Sequence, residues 1–152
     1  MDLSPTMLPH PADRPELYDD TPAKRAVAWC LDTLVIGAAT VVSVVFLLIP
    51  TFGLALLLSP LVWAVIGFFY RTLTLSRGSA TWGMRLMSVE IRHPDGGRLD
   101  FGAALAHTAL YYVAWAVMPL QLLSALMMAG TARKQGLGDH ILGTAAVNHD
   151  AR

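Results

Sequence analysis

Arg25 and Asp32 are the residues of this sequence whose position and spacing first suggest chemistry. Asp32 is followed by 38 residues, 33–70, that contain no Asp, Glu, Lys or Arg. Seven residues of α-helix return to nearly the same face, so both side chains are expected on one side of a helix. An acid inside a bilayer costs about 2.5–3.5 kcal/mol and marks a proton, ion or solute pathway. The alternative is a structural role, in which the carboxyl group pairs with a buried donor and fixes helix packing.

A second polar stripe is formed by His107 and Tyr111, which lie four residues apart on one helix face. A proton relay from His107 to Asp32 is one interpretation. The other is that these side chains lie at the membrane interface. His107 has no second ligand at i+3 or i+4, so no metal site is predicted. Serine-hydrolase, zinc-protease and glycine-rich nucleotide motifs are absent, and we expect neither enzymatic activity nor a cofactor.

The composition indicates whether these residues lie in a soluble protein or in a membrane protein. Of 152 residues, 55% are hydrophobic and only 14% are charged, against about 25% charged in soluble domains. Eleven basic residues balance eleven acidic ones, so there is no electrostatic signature of nucleic-acid binding. The composition therefore predicts an integral membrane protein.

The charge-free stretches predict the helices that position the polar residues. Residues 26–70 can hold two transmembrane helices, Ala26–Ile49 and Leu54–Phe69, joined by a turn at Pro50–Gly53. Residues 101–132 are also free of charge but are divided by Pro119, which interrupts a helix. They form either one long, kinked helix or a short hairpin. The predicted fold is therefore all-α, with two transmembrane helices and a third long or proline-split segment.

Short segments outside these helices complete the organisation. The alternating apolar residues of 87–91 predict a strand, and residues 143–147 predict a second one that could pair with it as a small cytoplasmic β element. Residues 1–22 are rich in proline and acid and predict a disordered cytoplasmic tail. The membrane domain is then 23–147, and residues 148–152 form a C-terminal tail.

Basic residues predict the orientation in the membrane. They precede the first helix and fill the segment after the second, whereas the turn between the two helices is uncharged. The positive-inside rule places the N-terminus and the central segment in the cytoplasm, where the arginines would contact anionic lipids of the inner leaflet. Arg133 and Lys134 favour a hairpin for residues 101–132, because a hairpin returns the chain to the same side. The basic residues concerned are Lys24, Arg25, Arg71, Arg77, Arg85, Arg92 and Arg98.

Taken together, the motifs resemble the RDD family of small membrane proteins. The resemblance rests on Arg25, on Asp32, on Asp139 within residues 138–144, and on the stretch 80–86. It implies an inner-membrane module that assists transport of an unidentified ion or small solute, with Arg25, Asp32 and Asp139 as the site. His107, Tyr111 and Arg85 are expected as auxiliary residues. The alternative is a non-transporting accessory or assembly factor; a homo-oligomer or larger complex is expected in either case.

Overall fold

The structure, a computed structural model that describes residues 8–149, places the long helices where the charge-free stretches occur. A short 3-10 turn, Pro15–Leu17, precedes them. The elements in chain order are α1 (Thr21–Leu48), α2 (Leu54–Leu57), α3 (Ser59–Gly78), α4 (Trp82–Leu86), β1 (Val89–Arg92), α5 (Phe101–Ala116), α6 (Met118–Gly130), α7 (Leu137–Leu142) and β2 (Ala145–Asn148).

Helix α1 has an inverted surface, with polar residues inside and large apolar residues outside. Its buried face includes Asp32 and Thr40, whereas Leu34, Val41 and Phe46 are more than half exposed. A soluble protein rarely leaves so much contiguous apolar surface in water, so this face suits lipid. Within residues 8–149, α1 alone is long and apolar enough to cross a membrane by itself, and α5 with α6 meets that criterion as a bent pair. The number of spans therefore stays a prediction.

The second predicted helix differs from the structure at its end. Helix structure begins at Leu54 as expected, breaks at Leu58 and resumes as α3, which continues to Gly78 rather than stopping at Phe69. The helix continues because Thr72 and Leu75 find buried positions beyond the apolar stretch. This extension carries Tyr70 and Arg71 into the protein interior.

The third charge-free stretch is split, and the split follows from proline chemistry. Helices α5 and α6 are bent by 118° at Val117. Pro119 lies in the first turn of α6, where its missing N–H is tolerated. Asp100 caps α5, as its carboxylate accepts a hydrogen bond from the amide of Ala103 at 2.7 Å.

The predicted strand pair is present as an antiparallel sheet of β1 and β2, with Val89 opposite Asn148. Its two faces enter different clusters. Val89, Ile91 and Ala146 join the main core with residues of α1, α3 and α4. Ala145 and Val147 pack against the N-terminal segment. Both faces are therefore buried, although the alternation in the sequence predicted a half-buried strand.

The expected disordered tail is wrong for the described residues 8–20. Leu8, Leu17 and Tyr18 are buried against β2, and the Asn148 amide donates to the carbonyl groups of Glu16 and Asp19 at 2.9 Å each. Isolated apolar residues without periodicity carry little signal in the sequence, but they become a small core once β2 offers them a surface. Asn148 is therefore part of the sheet rather than of a tail, whereas residues 1–7 and 150–152 lie outside the described residues.

Candidate functional site

The carboxylate of Asp139 is the centre of the first polar cluster. Arg25 Nη1 donates to Asp139 Oδ2 at 2.5 Å, and His107 Nε2 lies 2.9 Å from Oδ1. The amide of Gly136 and the hydroxyl of Thr144 also donate to it, at 3.1 and 3.2 Å. An ionised carboxylate only accepts hydrogen bonds, so His107 Nε2 carries the hydrogen. Asp139 thereby joins α1, α5 and the chain around α7.

Two opposing effects act on Asp139. Its burial by itself raises the pKa, because the charged form loses its hydration. The positive charge of Arg25 and the hydrogen bond from His107 outweigh that effect and hold the pKa of Asp139 below its usual range. Asp139 is therefore an anion throughout the physiological range and is fully engaged by its neighbours.

The second cluster surrounds Asp32. The hydroxyl of Tyr70 donates to Oδ1 at 2.6 Å, and the amide of Gly83 donates to the same oxygen at 2.9 Å. The hydroxyl of Thr81 donates to Oδ2 at 2.6 Å. Arg71 Nη1 stands 3.9 Å from Oδ2, close enough for charge attraction but too far for a hydrogen bond. Asp32 thus links α1, α3 and the start of α4.

Gly83 makes this arrangement sterically feasible. A Cβ atom at this position would lie 2.2 Å from the carbonyl oxygen of Ala28 and 2.9 Å from Asp32 Oδ1. Only a residue without a side chain lets the first turn of α4 rest on α1 and present its amide to Asp32. The sequence 80–86 therefore contributes a backbone donor to the site.

Arg71 stands beside the Asp32 cluster and also contacts α5. Its guanidinium is 4.4 Å from the centre of the Tyr111 ring, a cation–π distance. The Tyr111 hydroxyl accepts a hydrogen bond from Trp29 Nε1 at 2.9 Å. The arginine side chain is only 13% exposed, so its charge is largely enclosed by protein.

Both clusters line one cavity of about 510 Å³, and this observation unites the predicted site. Arg25, Asp32 and Asp139 all contribute to its wall. Arg71, His107, Thr108 and Tyr111 line it as well. The volume falls within the range of roughly 300–1,000 Å³ that is typical of small-molecule sites.

A comparison with protein families accounts for this set of residues. A model of the RDD family matches residues 21–143, most of the chain. The chain belongs to the RDD family. RDD is a membrane family, in agreement with the length and apolar surface of α1. No curated protein and no solved structure matches the chain.

The structure brings the RDD residues together in a particular way. Arg25 and Asp139 are in direct contact, whereas Asp32 has its own partners and shares only the cavity with them. His107 contacts Asp139 rather than Asp32, so the relay from His107 to Asp32 stays a prediction without a direct contact between the two side chains. Tyr111 lies on the cavity wall as expected.

Arg85 is not brought to this cavity. It extends from the other side of α4, and Gly78 of α3 lacks the Cβ that would meet its guanidinium. There it lines a separate depression of about 440 Å³ with Arg77 and Arg98. The short α4 explains the difference, since Gly83 and Met84 are buried whereas Arg85 is exposed.

Several contributors to the site were not singled out in the sequence. The sequence places Arg71 among the basic residues of the central segment, but in the structure it lies on α3 and lines the cavity. Tyr70, Thr81 and Gly83 became donors to Asp32 only through folding. Thr81 alone offered a local signal, because it caps α4 by accepting from the amide of Met84 at 3.2 Å. Within residues 8–149, no three His, Cys, Asp or Glu side chains are grouped as metal ligands.

Proposed function

We propose that this RDD protein is a multi-pass protein of the inner membrane whose cavity assists the transport of a small solute. The observation that carries the proposal is that Arg25, Asp32 and Asp139 line one cavity of small-molecule size. The role is non-enzymatic and needs no cofactor. Because so few helices enclose little of a water-lined path, the transporting form is a homo-oligomer or part of a larger membrane complex.

The paired strands support the proposed topology. β1 precedes α5 and β2 follows α6, and the two strands are hydrogen-bonded. Hydrogen-bonded strands must lie on the same side of a bilayer, so the bent pair α5–α6 enters and returns. The central segment is rich in arginine, which favours the cytoplasmic side. This topology places the N-terminus and β2 in the cytoplasm.

The proposed topology also gives the depth of the cavity. Asp32 lies 11 residues after Thr21, or about 16 Å along α1, and 16 residues before Leu48. Those last 16 residues span about 24 Å, most of a hydrocarbon core of ~30 Å. Asp32 therefore lies near the cytoplasmic boundary of the core rather than at its centre, within reach of α4.

Both carboxylates already have hydrogen-bond and charge partners, and this favours a small solute over a monovalent cation as the ligand. Asp32 accepts three hydrogen bonds and faces Arg71, and Asp139 is paired with Arg25. A cation would have to displace those donors and approach an arginine, which costs electrostatic energy.

Cysteine accessibility tests the proposal without knowledge of the solute. Cys30, the one cysteine in the sequence, is replaced by serine, and Gln121, which lines the cavity, is replaced by cysteine. A membrane-impermeant maleimide is added to right-side-out and to inverted vesicles. Transport requires that position 121 be labelled from both sides. Labelling from one side only, or from neither, contradicts the proposal; Leu34→Cys, on the exposed surface of α1, is the control.

The second candidate is an accessory or assembly factor, and the saturation of both acids favours it. In this case the two carboxylates lock α1 to its neighbours, and the cavity is a consequence of packing. A stoichiometric partner would then remain bound during purification in mild detergent. Asp32→Asn would release that partner, and position 121 would be labelled from one side only or not at all.

A further inference from the structure

Two polar groups on the cavity wall donate no hydrogen bond within residues 8–149. The hydroxyl of Thr108 is completely buried and has no hydrogen-bond partner within residues 8–149. Within the same residues the guanidinium of Arg71 makes an ion pair at 3.9 Å and a ring contact but no hydrogen bond. A guanidinium carries five N–H donors, so Arg71 retains donors for a ligand, and the unpaired buried hydroxyl of Thr108 costs about 1–3 kcal/mol. Both groups can therefore donate to an acceptor that enters the cavity.

The two groups belong to the same part of the cavity. Arg71 stacks on Tyr111, and Thr108 precedes Tyr111 by three residues in α5. Residues three apart are neighbours on a helix surface. An acceptor placed in the cavity beside the Tyr111 ring could therefore reach both the guanidinium and the hydroxyl.

Another part of the cavity wall is apolar. It is formed by Trp115 at the end of α5 and by Met118, Leu122 and Met128 of α6. Methionine side chains adapt to ligands of different shape. A ligand that satisfied Arg71 and Thr108 would therefore place its remaining surface against α6.

We infer that the cavity binds an amphipathic molecule with a carboxylate or phosphate head. The head accepts hydrogen bonds from Arg71 and Thr108, and the apolar body lies along α6. Asp139 does not exclude such a head, because Arg25 neutralises it. Asp32 takes its three hydrogen bonds from other donors, so Arg71, which attracts it from 3.9 Å, keeps its own N–H donors for the head. This inference rests on the proposed function, since it names the substrate class of the same cavity.

Binding to the purified full-length protein in detergent tests the inference. The probe is tritiated myristate, measured by scintillation proximity, with unlabelled myristate, dodecyl phosphate, myristyl alcohol and inorganic phosphate as competitors. The two anionic amphiphiles are expected to compete, and the alcohol to compete about tenfold more weakly, as expected from a lost charge-assisted hydrogen bond. Inorganic phosphate should not compete, because it lacks the apolar body. Equal competition by alcohol and acid, or effective competition by inorganic phosphate, would overturn the inference.

Matched variants separate binding from folding. Arg71→Gln is expected to weaken myristate binding about tenfold, whereas Arg14→Gln, at an exposed position outside both the cavity and the arginine-lined depression, leaves it unchanged. Thr108→Val is nearly isosteric and should weaken binding without lowering the unliganded Tm, because it removes an unpaired buried hydroxyl. A fall in Tm with unchanged binding would assign Thr108 to structure and contradict the inference.

The two proposals can fail separately. Saturable myristate binding that depends on Arg71, with position 121 labelled from one side only, supports the ligand and refutes transport. Labelling from both sides without specific myristate binding supports transport and refutes the ligand class.

Discussion

Arg25 and Asp139 are 114 positions apart in the sequence and form an ion pair with a distance of 2.5 Å between Nη1 and Oδ2. The pair connects the N-terminal part of α1 to α7, so it joins the first and last helices of the domain. Asp139 is fully buried, whereas the Arg25 side chain is 18% exposed. The contact therefore closes the chain around the cavity.

Asp139→Asn is expected to destabilise the protein by about 3 kcal/mol, the lower end of the range for a broken buried ion pair. The amide leaves Arg25 without a counter-charge, and the remaining exposure of Arg25 limits the loss. SDS-induced unfolding of the purified protein measures the change. Arg25→Gln combined with Asp139→Asn should cost less than the sum of the single changes.

Asp13→Asn is the matched control for that substitution, since Asp13 is exposed. We expect its unfolding free energy to stay within about 0.5 kcal/mol of the wild type. Equal effects at positions 13 and 139, or strict additivity with Arg25→Gln, would show that the pair does not stabilise the fold.

The low pKa of Asp139 predicts a pH dependence of stability. Its folded pKa lies below the value of about 3.9 of an unfolded aspartate, so the unfolded state binds more protons at acidic pH. The contribution is complete well above pH ~4 and decreases as the pH falls through that region. Thermal unfolding between pH 6 and 3 should therefore show a larger fall in Tm for the wild type than for Asp139→Asn. Parallel curves would contradict this assignment.

Gly83→Ala is expected to be among the most destabilising single-methyl changes in the protein. The new Cβ would overlap the Ala28 carbonyl, so α4 would have to move and the Gly83 amide would leave Asp32. The expected cost is at least about 3 kcal/mol, from overpacking together with a lost charge-assisted hydrogen bond. Gly130→Ala in α6 meets no atom within 4 Å and should be neutral or slightly stabilising. If both variants unfold like the wild type, α4 does not rest on α1.

The arginines outside the cavity are expected to select anionic lipid. Arg77, Arg85 and Arg98 line one depression at the proposed cytoplasmic face. The double variant Arg77→Gln and Arg98→Gln should lose about 1 kcal/mol of preference per charge for phosphatidylglycerol over phosphatidylcholine. Native mass spectrometry of the protein with mixed lipids gives this ratio.

Another double variant, Arg14→Gln with Lys134→Gln, removes the same charge away from the depression. It should retain most of the preference for phosphatidylglycerol. An equal loss in both double variants would show that net charge, rather than this depression, attracts the lipid.

Local patterns were sufficient for much of the fold. The charge-free stretches predicted α1 and the start of the second helical region, because lipid-facing helices need about 20 apolar residues. Pro119 predicted the break in the third stretch, and the alternation of residues 87–91 predicted β1. Each of these signals depends on neighbours in sequence, so the sequence alone contains it.

Contacts between distant residues required the tertiary structure. A glycine, a threonine and a tyrosine have no individual signature, yet Gly83, Thr81 and Tyr70 converge on Asp32 once α3 and α4 pack on α1. In the same way, the sequence around Leu8 and Tyr18 is typical of a disordered tail, but in the structure both residues pack against β2.

The sequence by itself determined that this is a helical RDD-type membrane protein with an arginine and two aspartates, because composition, spacing and motif are local properties. Only the tertiary structure decided that Asp139 pairs with Arg25 and His107, that Asp32 is bound by other donors, and that Arg71 lies in the cavity. The physical reason is that a buried charge is stabilised by whichever donors packing brings within about 3 Å, and packing joins residues that the chain keeps far apart.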